Sequence, residues 1–306
     1  MTRIGIDLGG TKAEIAAFDA EGRERLRRRI PSPSGAYEGA LAALAALVTD
    51  AERDLGVTAT VGVGHPGVVD PATGVLRNAF ATAFNDRPFK ADLSRLLGRE
   101  VRFENDANCL ALSEAIDGAA AGFGVVFGVI LGTGAGGGIV VDGKVLRGRH
   151  GLAGEWGHNP LPWMTAEEFP GLRCNCGRVG CLERFVSGPG MADDHERVTG
   201  SRKSPAEIAA AAAAGDAACA ATLERHQSRL GRALAHVVNL VDPDVIVLGG
   251  GVSQLAHLYR AVPPVIAAHA YAGGSPPVVQ ALHGDSSGVR GAAMLWPASS
   301  PGRAVR

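Results

Sequence analysis

An α/β fold with two lobes is predicted by three observations. Short β-branched segments alternate with helix-length runs of apolar periodicity along the chain. A strand, glycine turn, strand unit occurs once from Arg3 to Phe18 and again from Val125 to Val141, so each half of the chain opens in the same way. The composition is that of an ordinary globular chain, with 306 residues, 46% hydrophobic content and a formal net charge of -1. At about 100–200 residues per domain, this length suggests two domains whose cores need no disulfide staples. A cleft between two such lobes would be the natural site.

The elements follow in order. Arg3–Asp7 alternates, Gly9-Gly10 interrupts it, Ala13–Phe18 resumes it, and Ala20-Glu21-Gly22 turns into Arg23–Ile30, which together read as an antiparallel meander. Five arginines between Arg23 and Arg29 suggest an edge strand whose charges discourage pairing with other chains, in preference to a nucleic-acid patch, because nothing else extends the patch. A helix is expected at Gly39–Leu55, a strand at Val61–Val63, then a connecting segment rich in Pro, Asn and Asp, a strand at Val101–Glu104 and a helix at Ala107–Ala115.

The second half opens with Val125–Leu131, a turn at Gly132–Gly138, a strand at Ile139–Val141, an Asp142-Gly143 hairpin signal and Lys144–Leu146. A loop-like insertion runs from Asn159 to Gly180. Helices follow, including Ala209–Ala214 and Ala220–Val241, then a strand at Val245–Leu248 that ends in Gly249-Gly250-Gly251, and a last helical pattern at Val289–Leu295. The lobes are expected at 1–116 and 117–288, with 289–306 returning to the first.

Several function classes are disfavoured. A charge near zero argues against bulk nucleic-acid or membrane-surface binding. The chain opens directly into Met1-Thr2-Arg3-Ile4-Gly5-Ile6-Asp7 without a leader pattern, so a cytoplasmic location is expected. The uncharged stretch from Gly118 to Val141 is long enough to span a bilayer, but nine of its residues are glycine, and two strands about a turn explain it better.

Chemistry is concentrated in four places. The turns at Gly9-Gly10, Gly132–Gly138 and Gly249-Gly250-Gly251 each follow an apolar strand, and glycine lets backbone N–H groups converge closely on phosphate. Any one alone could be a plain hairpin turn, and none fits a P-loop or a dinucleotide fingerprint. Asp7 at the end of the first strand is placed to hold Mg²⁺, with Thr11 and backbone amides meeting the transferred phosphate. Asp106 stands just before a helical run, where Asp commonly satisfies free helix N–H groups.

Five cysteines are an odd count, and Cys174, Cys176 and Cys181 cluster. With His158 they supply four ligands suited to tetrahedral Zn²⁺, with free or redox-active thiols as the alternative. Cys109 and Cys219 read as small buried core thiols.

Taken together, Asp7–Lys12 (DLGGTK), Gly132–Gly138 (GTGAGGG), Glu155–His158 (ExGH) and Cys174–Glu183 (CxCGxxGCxE) resemble the ROK family of sugar kinases and repressors over nearly the whole chain. The resemblance implies two ribonuclease H-like lobes of the actin/hexokinase-like ATPase type. The segments Glu104–Asn108 and His158–Trp163 look most like its bacterial fructokinase/mannokinase branch. It implies that Asp106 is the catalytic base, and that Gly67, Asn105, Asp106, Glu155, His158 and Glu183 meet the sugar. It further implies that ATP is held by Gly5, Asp7, Gly9, Gly10, Thr11 and Lys12, by Gly132, Thr133, Gly134, Gly136, Gly137 and Gly138, and by Gly249 and Gly250.

The zinc implied by the resemblance is structural, fixing the loop that carries Glu183 and orienting His158. A homodimer is the family's expectation. Two departures stand out: His65 precedes Pro66-Gly67 where relatives carry an aliphatic residue, and Pro189 interrupts Ser187–Gly190.

Three functions are compatible with these residues. The first is an ATP-dependent kinase for the 6-hydroxyl of fructose, also accepting mannose or glucose. The second keeps the reaction but takes N-acetylglucosamine, N-acetylmannosamine or glucose, and the tilt to fructose comes only from Asn159–Trp163. The third, a sugar-responsive transcription regulator, is disfavoured because a DNA-binding segment is expected ahead of Asp7.

Overall fold

The computed structural model describes residues 1–79 and 82–297. They fall into two units, each assembled from separate stretches of chain. Unit 1 comprises Met1–Ser113, Leu146–Ala153 and the described residues from 286 on; unit 2 comprises Glu114–Val145 and Gly154–Asp285. Unit 1 thus takes in Leu146–Ala153, a segment the sequence reading places in the other lobe. Residues 298–306 of the expected returning segment lie outside the described residues. Among the described residues no helix is long and apolar enough to cross a membrane.

Unit 1 opens with β1 (Arg3–Leu8), β2 (Lys12–Phe18) and β3 (Glu24–Pro31), the expected antiparallel meander. Helix α1 (Tyr37–Leu55) turns Leu44, Leu47, Val48 and Ala51 inward at helical spacing and ends at Gly56, whose φ of 64° caps it in the left-handed region. Strand β4 (Thr60–His65) lies parallel to β1. The polar stretch that follows holds more structure than the sequence predicts: a short hairpin of β5 (Val68–Val69) and β6 (Leu76–Arg77), and helix α2 (Phe89–Leu96). Strand β7 (Val101–Asn105) closes the sheet and runs straight into helix α3 (Asp106–Asp117).

Unit 2 repeats the pattern. Strands β8 (Val125–Leu131), β9 (Ala135–Val141) and β10 (Lys144–Val145) form its meander. Five helices follow: α4 (Glu183–Val186), α5 (Gly188–Thr199), α6 (Pro205–Ala213), α7 (Ala217–Val241) and α8 (Leu258–His269). Strand β11 (Val245–Gly249) sits between α7 and α8, and β12 (Val278–Gln280) comes last. The final helix, α9 (Ser287–Met294), belongs to unit 1.

The two sheets have the same order and sense, β3-β2-β1-β4-β7 and β10-β9-β8-β11-β12. In both, the first three strands in sequence are antiparallel and the remaining two add in parallel. Two sheets so alike are the doubled ribonuclease H-like architecture implied above.

Caps explain where the helices of unit 2 start. The Ser187 hydroxyl accepts from the Gly190 N–H at 3.1 Å and Pro189 stands within the first turn of α5, where its missing N–H costs nothing. Pro189 is therefore a helix-start residue. Ser204 and Glu207 form a reciprocal capping box on α6, and Asp216 accepts from the Cys219 N–H at 3.0 Å on α7.

Edge strand β3 carries its arginines as expected of an edge: Arg27 and Arg29 both pair with Glu14, and Arg28 pairs with Asp54. Cys109 and Cys219 are fully buried.

Helix α9 covers the face of the unit 1 sheet formed by β1, β2 and β4, and glycines let it approach. A Cβ built on Gly5 would sit 1.9 Å from the Val289 carbonyl oxygen, and one on Gly62 would sit 1.9 Å from that of Ala292. Gly5, grouped above with the nucleotide ligands, is thus a packing glycine covered by backbone. Gly62→Ala is expected to cost about 3 kcal/mol and lower the melting temperature by roughly 6–12 °C. Gly39→Ala is the control: on the exposed side of α1, with open space around the new methyl, it should hold or raise the melting temperature. Equal melting temperatures for Gly62→Ala and the wild type would refute the packing account.

Candidate active site

Unit 1 supplies the first glycine turn. The Gly9 N–H donates to the Lys12 carbonyl at 3.0 Å, and the Ser32 hydroxyl donates to the Gly9 carbonyl at 2.7 Å, bracing the turn while Gly10, Thr11 and Lys12 stay exposed. A cavity of about 260 Å³ beside Gly10 is edged by Ser32, Ser34 and Thr82. Asp7 is the penultimate residue of the strand before this turn, next to the first turn of α9, where a Cβ on Gly288 would lie 2.8 Å from its Oδ2. Burial, with Glu14 adding to it and Lys12 opposing, pushes the Asp7 carboxyl up to about 6. A divalent cation is the partner that would return such a group to its charged form.

The β7–α3 junction carries the next group. The Asn105 side chain donates through Nδ2 to the Gly67 carbonyl at 3.2 Å and accepts through Oδ1 from the Ala107 N–H at 2.9 Å. Asp106 Oδ1 accepts from the same N–H at 2.8 Å. Asp106 is the first helical residue, so the capping role open to it by sequence is taken largely by Asn105. Gly67, Asn105 and Asp106 are therefore brought together within unit 1. Gly67 has a φ of 91°, and a Cβ there would strike the Arg77 carbonyl oxygen at 2.3 Å, so glycine alone fits.

His65 sits just before this turn, 2% exposed, its Nδ1 3.3 Å from the Pro66 carbonyl and its ring tilted against Phe103. Burial pulls its pKa down to about 4, so the ring is neutral at physiological pH and can donate from Nδ1 to that carbonyl.

Unit 2 supplies the second and third glycine turns. The second is shorter than the sequence predicts: β9 begins at Ala135, and Gly136, Gly137 and Gly138 pair with Ile130, Val129 and Gly128 of β8, leaving Gly132, Thr133 and Gly134 in the turn. Gly137 is glycine for packing, since its Cβ would lie 2.7 Å from both the Gly154 carbonyl oxygen and the Trp156 ring. Trp156 in turn donates from Nε1 to the Gly136 carbonyl at 2.9 Å and meets Phe127 edge-on. Gly250, at φ 81°, backs onto Leu131, and the Gly188 N–H at the start of α5 donates to the Gly132 carbonyl at 2.9 Å. The second and third turns are thus neighbours.

Glu183 joins this turn to the cysteine cluster. Its Oε2 accepts from the Ala135 N–H at 3.2 Å, and its Oε1 lies 3.8 Å from Cys174 Sγ. Burial raises the Glu155 pKa, with His158 lowering it and Glu183 raising it, so these three residues share one electrostatic neighbourhood in unit 2.

The ligand atoms of His158, Cys174, Cys176 and Cys181 all lie within 4.8 Å of one another. His158 Nδ1 is 3.6 Å from Cys174 Sγ, and Cys176 Sγ is 3.6 Å from Cys181 Sγ. Tetrahedral Zn²⁺ with its usual bond lengths sets N···S and S···S edges of about 3.6 and 3.8 Å, so the four residues fit zinc. Four protein ligands would close its shell and leave the metal a structural role. The knuckle is built by backbone: the Cys174 N–H donates to the Arg178 carbonyl at 2.8 Å, the Gly177 N–H to the Cys174 carbonyl at 2.9 Å, and Gly177 and Gly180 take positive φ.

The Asn159–Trp163 segment is tied to unit 2 by one buried side chain and by its backbone. Leu161 is buried in the unit 2 core, Arg232 of α7 donates to the Pro162 and Trp163 carbonyls at 3.1 and 2.5 Å, and the Trp163 ring tilts against His269. Within the segment that tilts the sequence reading toward fructose, Leu161 belongs to the core of unit 2, whereas Asn159, Pro160 and Trp163 are exposed.

Sequence reasoning includes Glu104 in a motif without giving it a role, and passes over Arg147. Glu104 is buried at the junction and accepts from Arg147 Nε at 2.5 Å across 43 residues of sequence, a spacing with no local signature.

The arrangement is that of a phosphotransferase, and comparison with known proteins agrees. The ROK family model matches residues 3–299, so the chain belongs to the ROK family. It is 38% identical over 296 residues to an N-acetyl-D-glucosamine kinase of Salmonella gallinarum, covering 95% of this chain and 98% of that one. Among solved structures it resembles a ROK hexokinase from Thermus thermophilus, with a TM-score of 0.85, 34% identity and coverage of 96% and 97%. It also resembles a ROK family glucokinase from Streptomyces griseus in complex with glucose and AMPPNP, with a TM-score of 0.78, 30% identity and coverage of 96% and 99%. These relatives confirm the actin/hexokinase-like fold and give no support to fructose over other sugars.

Proposed function

We propose that the chain is an ATP-dependent sugar kinase that transfers the γ-phosphate to the 6-hydroxyl of a hexose, with N-acetyl-D-glucosamine as its preferred acceptor. The observation that carries the choice of sugar is the 38% identity to an N-acetyl-D-glucosamine kinase over nearly the full length of both chains. In this reading Asp106 accepts the proton of the 6-hydroxyl as its oxygen bonds to the γ-phosphorus and the bond to the β-phosphate oxygen breaks, releasing ADP. Asn105, held between Gly67 and Ala107, fixes the direction of approach.

Glu155 and Glu183 accept from sugar hydroxyls through their carboxylates, and His158, whose Nδ1 faces the cysteines, offers its Nε2–H as a donor to a hydroxyl oxygen. Backbone N–H groups of the turns at Gly9–Gly10, Gly132–Gly134 and Gly249–Gly250 meet the nucleotide phosphates, and Asp7 holds Mg²⁺ directly or through water. His158, Cys174, Cys176 and Cys181 hold a structural Zn²⁺, whose part is to fix the loop that carries Glu183.

Fructose is the second reading, favoured by the likeness of Asn159–Trp163 to the fructokinase/mannokinase branch. Coupled ADP release with MgATP across N-acetyl-D-glucosamine, glucose, mannose and fructose separates the two. A kcat/KM at least tenfold higher for N-acetyl-D-glucosamine is expected. A fructose preference of that size would replace the proposed acceptor while keeping the reaction, and inactivity toward all four would overturn the kinase reading.

A further inference from the structure

We propose that Glu104 is a positioning residue for the acceptor end of the site, acting through Asn105, Asn108 and Arg147. The proposal rests on the reading above that Asn105 and Asp106 serve the sugar. Glu104 is the penultimate residue of β7, in register with Gly64 of β4, and is 7% exposed. Its Oε1 accepts from the Asn105 backbone N–H and from Asn108 Nδ2, both at 3.0 Å. Its Oε2 accepts from Arg147 Nε at 2.5 Å.

One carboxylate oxygen therefore ties the last residue of the strand to the first turn of the helix, and Asp106 lies between the two anchored residues. The other oxygen ties this junction to Leu146–Ala153. That segment returns along unit 1, with Gly151 packed close to Val68 just past Gly67. A cavity of about 390 Å³ is edged by His65, Gly67, Glu104, Asn105 and Arg147, so the same clasp shapes the wall beside the proposed acceptor residues.

The pair is lopsided, and that sets the expected pattern. The Glu104 side chain is 7% exposed and that of Arg147 60%, so it is the buried carboxylate that depends on its partners. Glu104→Ala removes all three bonds. Glu104→Gln keeps an oxygen for Asn105 and Asn108 but turns an NH₂ group toward a guanidinium, donor against donor. Pairing Glu104→Gln with Arg147→Gln restores a donor–acceptor match without charge.

The experiment is steady-state kinetics on the full chain, with acceptor and ATP varied separately. Glu104→Ala is expected to lose about 30-fold in kcat/KM for the acceptor, and Glu104→Gln about tenfold, with KM for ATP within twofold of wild type. The double variant Glu104→Gln/Arg147→Gln should recover to within about threefold of wild type. A purely structural role would move the melting temperature and leave this split untouched.

Wild-type kcat/KM in Glu104→Gln, an equal rise in KM for ATP, or single-variant losses that simply multiply in the double variant would each overturn the proposal. Asp106→Asn in the same assay keeps the two ideas apart. Full turnover by that variant sinks the reading of Asp106, whereas the Glu104 series reports on the clasp.

Discussion

Asp106→Asn is expected to lower kcat by about 10³-fold while changing the affinity for the acceptor sugar less than about fivefold. The substitution is close to isosteric, and the amide oxygen can still accept from the Ala107 N–H, as Oδ1 does now at 2.8 Å. Asn105, which bonds both Gly67 and Ala107, is undisturbed, so the start of α3 keeps its shape. What is lost is the group that can take a proton. Without it the 6-hydroxyl must attack while still protonated or pass its proton to water, and general-base catalysis of this kind is worth about 10²–10⁴-fold. Turnover numbers set beside binding by calorimetry are the check. A variant that keeps kcat within tenfold would show that positioning alone carries the reaction and that Asp106 is a helix-start residue.

The second large effect concerns the metal. Protein purified without chelator should carry one zinc per chain, and Cys174→Ser should lose it, with kcat/KM for the acceptor falling on the order of 100-fold. Cys174 is the informative position because it touches both His158, at 3.6 Å, and Glu183, at 3.8 Å. Opening the cluster there frees two proposed sugar ligands at once. Structural zinc contributes about 10–16 kcal/mol in small isolated modules, so the variant should also melt well below the wild type. Metal content by elemental analysis, melting temperature and kinetics are read on the same samples. A zinc-free variant with wild-type kinetics would refute the role assigned to the knuckle.

What the sequence made legible were features whose cause is local. The meanders, the long helices α1 and α7 and the cysteine cluster each follow from periodicity, turn residues or ligand spacing within a short window. Helix α2 was hidden because its eight residues sit in a stretch rich in Pro, Asn and Asp, and its apolar anchors Phe89 and Leu93 are only two. The glycines mark the limit most clearly. Gly137 stands in the same run as Gly132, where a Cβ would meet nothing within 4 Å, yet it is glycine because the Trp156 ring presses against it, as the Val289 carbonyl presses against Gly5. Nothing in a local window separates a glycine that opens toward a ligand from one that admits a neighbouring helix. Pro189 shows the converse, since a residue that stands out as a departure from the family's pattern serves the start of α5. The pairing of Glu104 was invisible for a further reason: its partner Arg147 lies in a segment that leaves one unit's chain to complete the other.

The return of α9 to the first sheet also sets the order in which the molecule can be finished during synthesis. Residues up to Ser113 leave the ribosome with a sheet whose Gly5 and Gly62 face has nothing to cover it, because the covering helix begins only at Ser287. The second unit, closed by β12 at Val278–Gln280, can be complete before the first. Vectorial folding therefore runs against the numbering here. The earliest-made half must wait, sticky and unfinished, for the latest-made helix, and that interval is when the nascent chain is most in need of a chaperone.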